Sequence, residues 1–223
     1  MEEASAKFEN FYGRRRGKKM RPNREKLVEE LLPRLAVTPE SVGEAIKGWS
    51  KVWLEVGFGA GEHLVWQAER NPDVLLIGAE PYINGVAKLL SEIEEKGIKN
   101  IRILADDVRP LLDALPDQSL DRVFVLFPDP WPKKRHWERR FIGPANLDRL
   151  ARLLVPGAEL RLATDDKSLL PWMTSHTRKH PAFQWQIAKC HDWLSRPDDW
   201  PQTRYERKAI KGRPYFLRFK RRS

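Results

Sequence analysis

A glycine-rich turn is the stretch of this sequence whose residue types and spacing are best suited to bind a ligand. It reads LEVGFGAGEHL from Leu54 to Leu64 and leads from a β-like run into a helical one. Its glycines, Gly57, Gly59 and Gly61, let the backbone approach a ligand closely, and the helix that follows offers unpaired N–H groups at its N-terminus. The turn therefore predicts a site for a nucleotide-like cofactor.

The acidic residue ahead of this turn distinguishes two classes of cofactor. The glycines follow G-x-G-x-G, whereas the dinucleotide fingerprint G-x-G-x-x-G seats a pyrophosphate. A carboxylate at Glu55 repels a pyrophosphate and attracts an ammonium. S-adenosylmethionine carries an ammonium, a sulfonium and no phosphate, so Glu55 favours it over NAD. A tight structural turn is the alternative interpretation of the glycines alone.

Two further acidic positions follow the next β-like runs. Glu80 stands about twenty residues after the turn, where an acid commonly accepts hydrogen bonds from both ribose hydroxyls, in NAD sites as well. Asp106 and Asp107 follow the third run, at the same carboxyl edge of the expected sheet. By placement, Asp107 is the candidate partner of the adenine amino group.

The elements that position these residues alternate between β-rich and helical runs from Lys51 to Thr164, a pattern typical of a parallel sheet with helices on both faces. We predict strands at Val52–Val56, Val74–Ala79, Ile101–Ala105, Arg122–Phe127, Glu159–Ala163, Gln184–Ala188 and Tyr215–Lys220. We predict helices at Glu62–Arg70, Ile83–Lys96, Val108–Ala114, Arg139–Leu154 (ended by Pro156-Gly157) and from Asp165 to Lys179. The expected fold class is α/β, with a mostly parallel sheet that ends in an antiparallel strand pair.

Composition limits the function classes. A chain of 223 residues with 41% hydrophobic content fits one folded domain. The longest apolar runs are too short to span a bilayer, and the N-terminus lacks the apolar region of a signal peptide, so we expect a cytoplasmic protein. The single cysteine, Cys190, is interpreted as a packing residue, and no paired His or Cys stands at metal-ligand spacing, so no metal site is predicted.

Positive charge indicates a polyanionic partner. The formal net charge is +10, and the excess Lys and Arg collect in three runs, Phe11–Arg24, Pro130–Arg140 and Thr203–Arg222. Aromatic residues lie among them, and rings stack on bases while cations neutralise phosphates. Nucleic acid is the favoured partner, and an anionic membrane surface is the alternative partner. The basic runs could also be solvated surface that binds no partner.

Several motifs together resemble those of the bacterial tRNA (guanine-N7)-methyltransferases. In chain order they are LEVGFGAGEHL, GAEPY, ADDV, FPDPWPKKRHWERRF, LATDD and TRYERKAIKG. The resemblance implies a seven-stranded, Rossmann-like class I S-adenosylmethionine-dependent methyltransferase fold. It also implies methyl transfer to a guanine in the variable loop of tRNA.

The resemblance assigns roles residue by residue. The cofactor-contacting carboxylates are Glu55, Glu80, Asp107 and Asp129, with Asp129 also the active-site residue. Substrate-contacting positions are Lys133, Asp165, Thr203, Arg204, Tyr205 and Glu206. An aromatic residue often follows the Thr-Asp pair in that family, whereas this chain has Asp166, which leaves the choice between Asp165 and Asp166 open.

The chemistry of guanine N7 suits an orienting role for Asp129. N7 has a free lone pair and no hydrogen to remove, so alignment matters more than a general base. A carboxylate at Asp129 or Asp165 can accept from the guanine N1–H and exocyclic amine, which also discriminates against adenine. The alternative is a turn-forming Asp between Pro128 and Pro130. The neighbouring cations would hold phosphates: Lys133, Lys134, Arg135, Arg139 and Arg140. His136 either joins them or is a surface or packing residue, and Trp131 either stacks on a base or packs the loop.

Other functions remain open at this point. One is a non-catalytic RNA-binding protein with a degenerate cofactor fold, another an NAD-dependent oxidoreductase, and a third a methyltransferase acting on ribosomal RNA, free nucleotide or protein. We divide the chain into a basic arm and helix at residues 1–36 and a methyltransferase domain at 37–223. The arm is expected to fold or settle on RNA. Monomer and homodimer are both open.

Overall fold

A computed structural model describes residues 11–189, 191–208 and 212–223. Its strands are β1 (Lys51–Val56), β2 (Val74–Ala79), β3 (Ile101–Leu104), β4 (Leu120–Leu126), β5 (Leu154–Thr164), β6 (Phe183–Trp185) and β7 (Tyr215–Arg221). Its α-helices are α1 (Pro22–Glu30), α2 (Leu32–Leu35), α3 (Val42–Ala45), α4 (Glu62–Arg70), α5 (Ile83–Lys96), α6 (Arg109–Ala114), α7 (Pro144–Leu153), α8 (Leu169–Lys179) and α9 (Arg204–Lys208). The predicted Cys190 packing lies outside the described residues.

The strands form one seven-stranded sheet in the order β3-β2-β1-β4-β5-β7-β6. The first five strands along the chain pair in parallel, and β7 runs antiparallel to both β5 and β6. The prediction of a mostly parallel sheet with an antiparallel end is confirmed. The strand order reverses between β1 and β4, and ligands of doubly wound folds bind at the carboxyl edge beside such a reversal.

Two hydrophobic layers cover the two faces of the sheet. On one face, α4 and α5 bury Leu64 and Leu89 against Trp53 and Phe124. On the other face, α6, α7 and α8 cover the sheet, with buried side chains that include Leu111, Leu150 and Met173. Because both faces are covered, β2 is buried at every position, as its continuous apolar run predicts.

Several predicted boundaries are wrong. β6 is Phe183–Trp185 and not Gln184–Ala188, and α8 begins at Leu169; the larger differences concern α7 and β5. The helix expected from Arg139 begins at Pro144, because Lys134–Arg139 forms a separate 3-10 helix and proline favours the first helical turn. Pro156-Gly157 does not end a helix but lies inside β5, which begins at Leu154 beside a register shift in its pairing with β4. Proline is tolerated in a strand at such irregularities.

The N-terminal part lies along one side of the domain. Residues 11–21 have no regular helix or strand, and α1 packs against α5 with Leu27 in the core. Val37 donates a hydrogen bond to Ile103 of β3, so the chain joins the sheet near the predicted domain boundary. That boundary remains a prediction. Within the described ranges, no helix combines the length and apolarity needed to cross a membrane.

Candidate active site

The glycine-rich turn connects β1 to α4 at the carboxyl edge of the sheet. Gly57, Gly59 and Gly61 have φ of 74°, 59° and 81°, in the left-handed region that favours glycine. A Cβ placed on Gly57 or Gly59 would meet no atom within 4 Å, so both positions face open space. The turn therefore presents bare backbone to a cleft, as the sequence predicts for a cofactor site.

Glu80 fastens this turn to the end of β2. Its two carboxylate oxygens accept hydrogen bonds from the N–H of Gly59 at 2.8 Å and of Tyr82 at 2.9 Å. Burial raises the pKa of Glu80 above its ordinary value, and the negative charges of Asp129 and Glu55 act in the same direction. The three carboxylates are therefore near enough to interact electrostatically.

Gly85 makes the close packing of α5 against the turn possible. A Cβ on Gly85 would lie 2.1 Å from the carbonyl oxygen of Gly59, a backbone atom that cannot rotate away. The start of α5 and the glycine turn therefore touch main chain to main chain. The sequence analysis did not single out Gly85, because nothing in the local pattern shows which backbone it approaches.

Glu55 is placed at the turn but is almost fully buried. Its side chain is 3% exposed, and Oε2 lies 2.7 Å from Nδ1 of His63. His63 and Gln67, one helical turn apart, are also buried. The sequence analysis did not predict the contact between Glu55 and His63. The i,i+4 spacing of His63 and Gln67 on the apolar face of α4 was a signal that these two polar side chains are buried together.

The adenine-side candidates are both engaged by arginines. Asp107 is bound by Arg109, whose guanidinium reaches Oδ2 at 2.6 Å. Asp106 forms an exposed ion pair with Arg15 at 2.6 Å. Arg15 also accepts a hydrogen bond at its carbonyl from the N–H of Ile83, so the N-terminal arm lies along this side of the site.

Asp129 lies on an exposed loop between two residues of unusual backbone conformation. Phe127 and Trp131 have φ of 51° and 42°, uncommon for non-glycine residues and energetically costly. The N–H of Phe127 donates to Ala163 of β5 at 2.8 Å, which extends the sheet into the loop. The Asp129 loop thus continues from the carboxyl end of β4, and Asp129 is exposed on it.

Arg140 supports the Asp129 loop from the interior of the protein. The side chain was grouped with phosphate-holding cations, but the residue is 4% exposed, and its Nε donates to the carbonyl of Pro130 at 2.8 Å. Its guanidinium packs against the rings of Trp137 and Trp172, 4.9 and 5.0 Å from their centroids. Burial lowers the pKa of Arg140. The phosphate role is wrong for Arg140 because the side chain points into the protein.

The other cations of this loop are surface residues. Lys133, Lys134 and Arg135 are exposed. Desolvation and the positive charges of Arg139 and Arg135 lower the pKa of His136, and a phosphate role for its imidazole stays a prediction.

Trp131 packs within its own loop and against the N-terminal arm. Its ring contacts His136 and Tyr12 edge-on, with centroid separations of 5.8 and 6.4 Å. The guanidinium of Arg139 lies 3.8 Å from the centroid of Tyr12 and 5.1 Å from that of Trp131. Stacking of Trp131 on a base stays a prediction.

Asp165 and Asp166, which the sequence left as alternatives, have different surroundings. Asp166 accepts hydrogen bonds from the N–H groups of Ser168 and Leu169 and so caps α8. Asp165 is buried and accepts a 3.4 Å hydrogen bond from the hydroxyl of Tyr205. Burial, followed by the nearby charge of Asp165, raises the pKa of Tyr205 to about 12. Asp129 contributes in the same direction, which places it on the same side of the site.

The segment from Thr203 to Glu206 is built as a helix cap. The N–H of Glu206 donates to the hydroxyl of Thr203 and the N–H of Thr203 donates to the Glu206 carboxylate, both at 3.3 Å. This reciprocal pair is a capping box, which the T-x-x-E spacing signals in sequence. Glu206 is buried and paired with Arg196 at 3.0 Å, and the N–H of Arg204 donates to Glu62 at the start of α4. The segment is thereby fixed beside the glycine turn.

Metal-ligating side chains do not cluster in the described ranges: no group of three or more His, Cys, Asp or Glu there could hold an ion.

Solved structures share this architecture. The 16S rRNA methyltransferase KamB aligns with a TM-score of 0.58 at 18% identity, covering 81% of this chain and 92% of that one. A variant of the 16S rRNA (adenine(1408)-N(1))-methyltransferase from Catenulisporales acidiphilia, with cosubstrate SAM, gives 0.56 at 16% identity and covers 84% and 92%. Sheet order and glycine turn define a Rossmann-like class I methyltransferase fold.

Proteins of similar sequence show to which family of methyltransferases this chain belongs. A family model described as a putative methyltransferase matches residues 50–216. The tRNA (guanine-N(7)-)-methyltransferase of Rhodospirillum rubrum is 48% identical, covering 100% of this chain and 91% of the relative. Its namesake from Paramagnetospirillum magneticum is 50% identical, covering 99% and 96%. The chain belongs to the tRNA (guanine-N(7)-)-methyltransferase family.

Proposed function

We propose that this protein transfers a methyl group from S-adenosylmethionine to N7 of a guanine in the variable loop of tRNA. The observation that carries the proposal is the meeting of two features at one edge of the sheet. An open glycine turn bordered by carboxylates lies there, and the Asp129 loop with its exposed cations lies beside it. Membership of the tRNA (guanine-N(7)-)-methyltransferase family indicates the reaction class, and we propose that these residues carry it out.

The chain's own residues fit this cofactor better than a dinucleotide. Glu55 and Glu80 border the turn, and a pyrophosphate there would face like charge. S-adenosylmethionine supplies a methyl group activated by its sulfonium. In the proposal, the glycine turn and Glu55 serve the methionine end, Glu80 the ribose and Asp107 the adenine. Asp107 does so as a carboxylate already oriented by Arg109.

Guanine is oriented by carboxylates in this proposal, and no residue acts as a base. Asp129 and Asp165 accept hydrogen bonds from the N1–H and the exocyclic amine, which leaves the N7 lone pair aimed at the methyl group. We assign Asp165 to this role and not Asp166, because the carboxylate of Asp166 caps α8. Tyr205, protonated at physiological pH, holds Asp165 through its hydroxyl.

RNA phosphates meet cations on both sides of the site. Lys133 lies on the Asp129 loop, and Thr203, Arg204 and Tyr205 lie beside that loop, where the Tyr205 ring contacts Phe127 and Glu206 positions the segment from inside. On the arm side, a cavity of about 390 Å³ is lined mainly by cations: Arg14, Lys18, Lys19, Arg21, Arg24 and Lys88. We propose that residues 1–36 form an RNA-binding arm that settles on tRNA, attached to a methyltransferase domain at 37–223 in a cytoplasmic protein. The oligomeric state stays open.

The test is transfer of radiolabelled methyl from S-adenosylmethionine to unmodified tRNA, with mapping of the modified base. Asp129→Ala should lose activity on the order of a hundredfold or more, as expected when a group that orients a substrate is removed. Asp73→Ala is the matched control, because Asp73 is exposed at the amino end of β2, away from the site. Tight tRNA binding without methyl incorporation by the unmodified protein would favour the non-catalytic RNA-binding alternative.

A further inference from the structure

A chain of buried hydrogen bonds leads away from Glu55 through α4. Oε2 of Glu55 lies 2.7 Å from Nδ1 of His63, and Nε2 of His63 lies 3.2 Å from Nε2 of Gln67. The amide of Gln67 then donates to the carbonyl oxygen of Asp199 at 2.8 Å. The side chains of Glu55, His63 and Gln67 are 3%, 2% and 1% exposed.

The donors and acceptors of this chain allow one assignment. The Gln67 amide nitrogen only donates, so Nε2 of His63 accepts one of its hydrogens and the Asp199 carbonyl accepts the other. Nδ1 of His63 then carries the imidazole proton and donates it to Glu55. Both nitrogens of His63 and the amide nitrogen of Gln67 then have hydrogen-bond partners. The chain of hydrogen bonds uses only Oε2 of Glu55, so in the proposal Oε1 accepts from the ligand of the glycine turn.

The far end of the chain belongs to the segment that carries the substrate-side residues. Asp199 lies four residues before Thr203, and its carboxylate pairs with Arg161 at 2.7 Å. The adjacent Trp200 is buried against the His63 ring, 5.7 Å between centroids. His63 therefore touches both the cofactor-side carboxylate and the start of the segment that leads into the capping box.

We propose that His63 is a positioning residue for both substrates, in a role that rests on the proposed function. Through Nδ1 it fixes the carboxylate of Glu55 beside the glycine turn. Through Nε2 and Gln67 it fixes the segment from Asp199 to Glu206 beside the RNA. The two hydrogen bonds of one imidazole thus set the relative placement of the cofactor site and the substrate edge.

Substitutions can remove the hydrogen-bonded link to Asp199 alone, or that link together with the hydrogen bond to Glu55. Gln67→Met removes the link to Asp199 and leaves the His63–Glu55 bond, whereas His63→Leu removes both. His63→Asn keeps a donor near the Nδ1 position and loses the acceptor that faces Gln67. Thr177→Val is the control for buried polar loss, because the Thr177 hydroxyl is buried and donates to the carbonyl of Met173 within α8, on the other face of the sheet.

The measurements are calorimetric binding of S-adenosylmethionine, filter binding of tRNA, amide hydrogen exchange over residues 195–208 and thermal unfolding. We expect His63→Leu to weaken S-adenosylmethionine binding about tenfold, the size of one hydrogen bond to a charged group. Gln67→Met and His63→Asn should bind it within about twofold of the unmodified protein, yet exchange faster over 195–208 and bind tRNA about three- to tenfold more weakly.

A structural role alone predicts a different pattern. If all four variants changed only the unfolding temperature, or if Gln67→Met weakened S-adenosylmethionine binding as much as His63→Leu, the positioning role would be overturned. Rescue of S-adenosylmethionine binding in His63→Asn relative to His63→Leu supports it. Because these readouts are binding and exchange, they are separate from the methyl-transfer assay: an inactive unmodified protein would instead count against the proposed function.

Discussion

The cofactor side and the RNA side of the site are built in opposite ways. On the cofactor side, carboxylates are held by donors within the protein, as Glu55 is by His63 and Glu80 by two backbone N–H groups. On the RNA side, Lys133 and Lys134 stand exposed on a loop. Preorganised groups suit a small ligand of fixed geometry, whereas exposed lysine side chains, which can change rotamer, suit a flexible polyanion. Substitutions of buried, preorganised groups should therefore be far more damaging than substitutions of the exposed cations.

Gly85→Ala should have the largest effect on the cofactor side. The added Cβ would lie 2.1 Å from the carbonyl oxygen of Gly59. Such overpacking typically costs about 1–3 kcal/mol of stability, and displacement of the turn should weaken S-adenosylmethionine binding about tenfold or more. Denaturant unfolding and calorimetry measure the two effects. Gly43→Ala is the control, since a Cβ there meets no atom within 4 Å; equal losses in both variants would contradict the close approach.

Arg140→Met tests whether the exposed loop depends on buried support. The substitution removes the hydrogen bond to Pro130 and the contacts with Trp137 and Trp172. We expect a loss of about 1.5–3 kcal/mol, typical of a hydrogen bond from a charged group, together with a lower kcat. Arg135→Met, on the same loop but exposed, should leave the free energy of unfolding within about 0.5 kcal/mol. An Arg140→Met protein of unchanged stability and reduced tRNA salt dependence would restore the phosphate role.

Lys134→Gln should affect RNA binding alone. Removing one phosphate contact should weaken tRNA binding a few-fold and reduce the slope of log K against log salt by about 1, with no change in S-adenosylmethionine affinity. Binding titrations at several salt concentrations measure the slope. Lys96→Gln, at the end of α5 and paired with Glu69, serves as the control of equal charge. If both variants lowered the slope equally, the loop would have no special part in RNA contact.

Tyr205 should show the smallest effect, confined to alkaline pH. Its pKa is raised from 10 to about 12, so the folded protein keeps the phenolic proton longer than the unfolded chain does. The stabilisation is complete below pH 10 and is lost as the pH rises through 12. Asp165→Asn should move the pKa back toward 10, because the charge of Asp165 contributes to the shift. Tyrosine Cζ NMR follows the titration, and an unchanged pKa in Asp165→Asn would contradict their contact.

The fold could be predicted from the sequence because its signals are local. Apolar runs bounded by turns marked the strands, and the bounds predicted for α4 and α5 agree with the structure. The glycine turn could be placed because strand, glycines and helix follow one another along the chain. The start of α7 was misplaced because the helix was predicted to run through Gly143-Pro144, although proline favours the first turn of a helix.

Only the tertiary structure decided which side chains face each other. The sequence by itself determined the α/β class, the cofactor turn and the positive charge of the partner-facing runs, since each depends on residue type and near spacing. It left Arg140 among the phosphate ligands and His63 without a role, and it could not choose between Asp165 and Asp166. Those depend on burial and on contacts between distant residues, such as Gln67 with Asp199. Such contacts form only when the elements pack, because no local pattern specifies which surfaces meet.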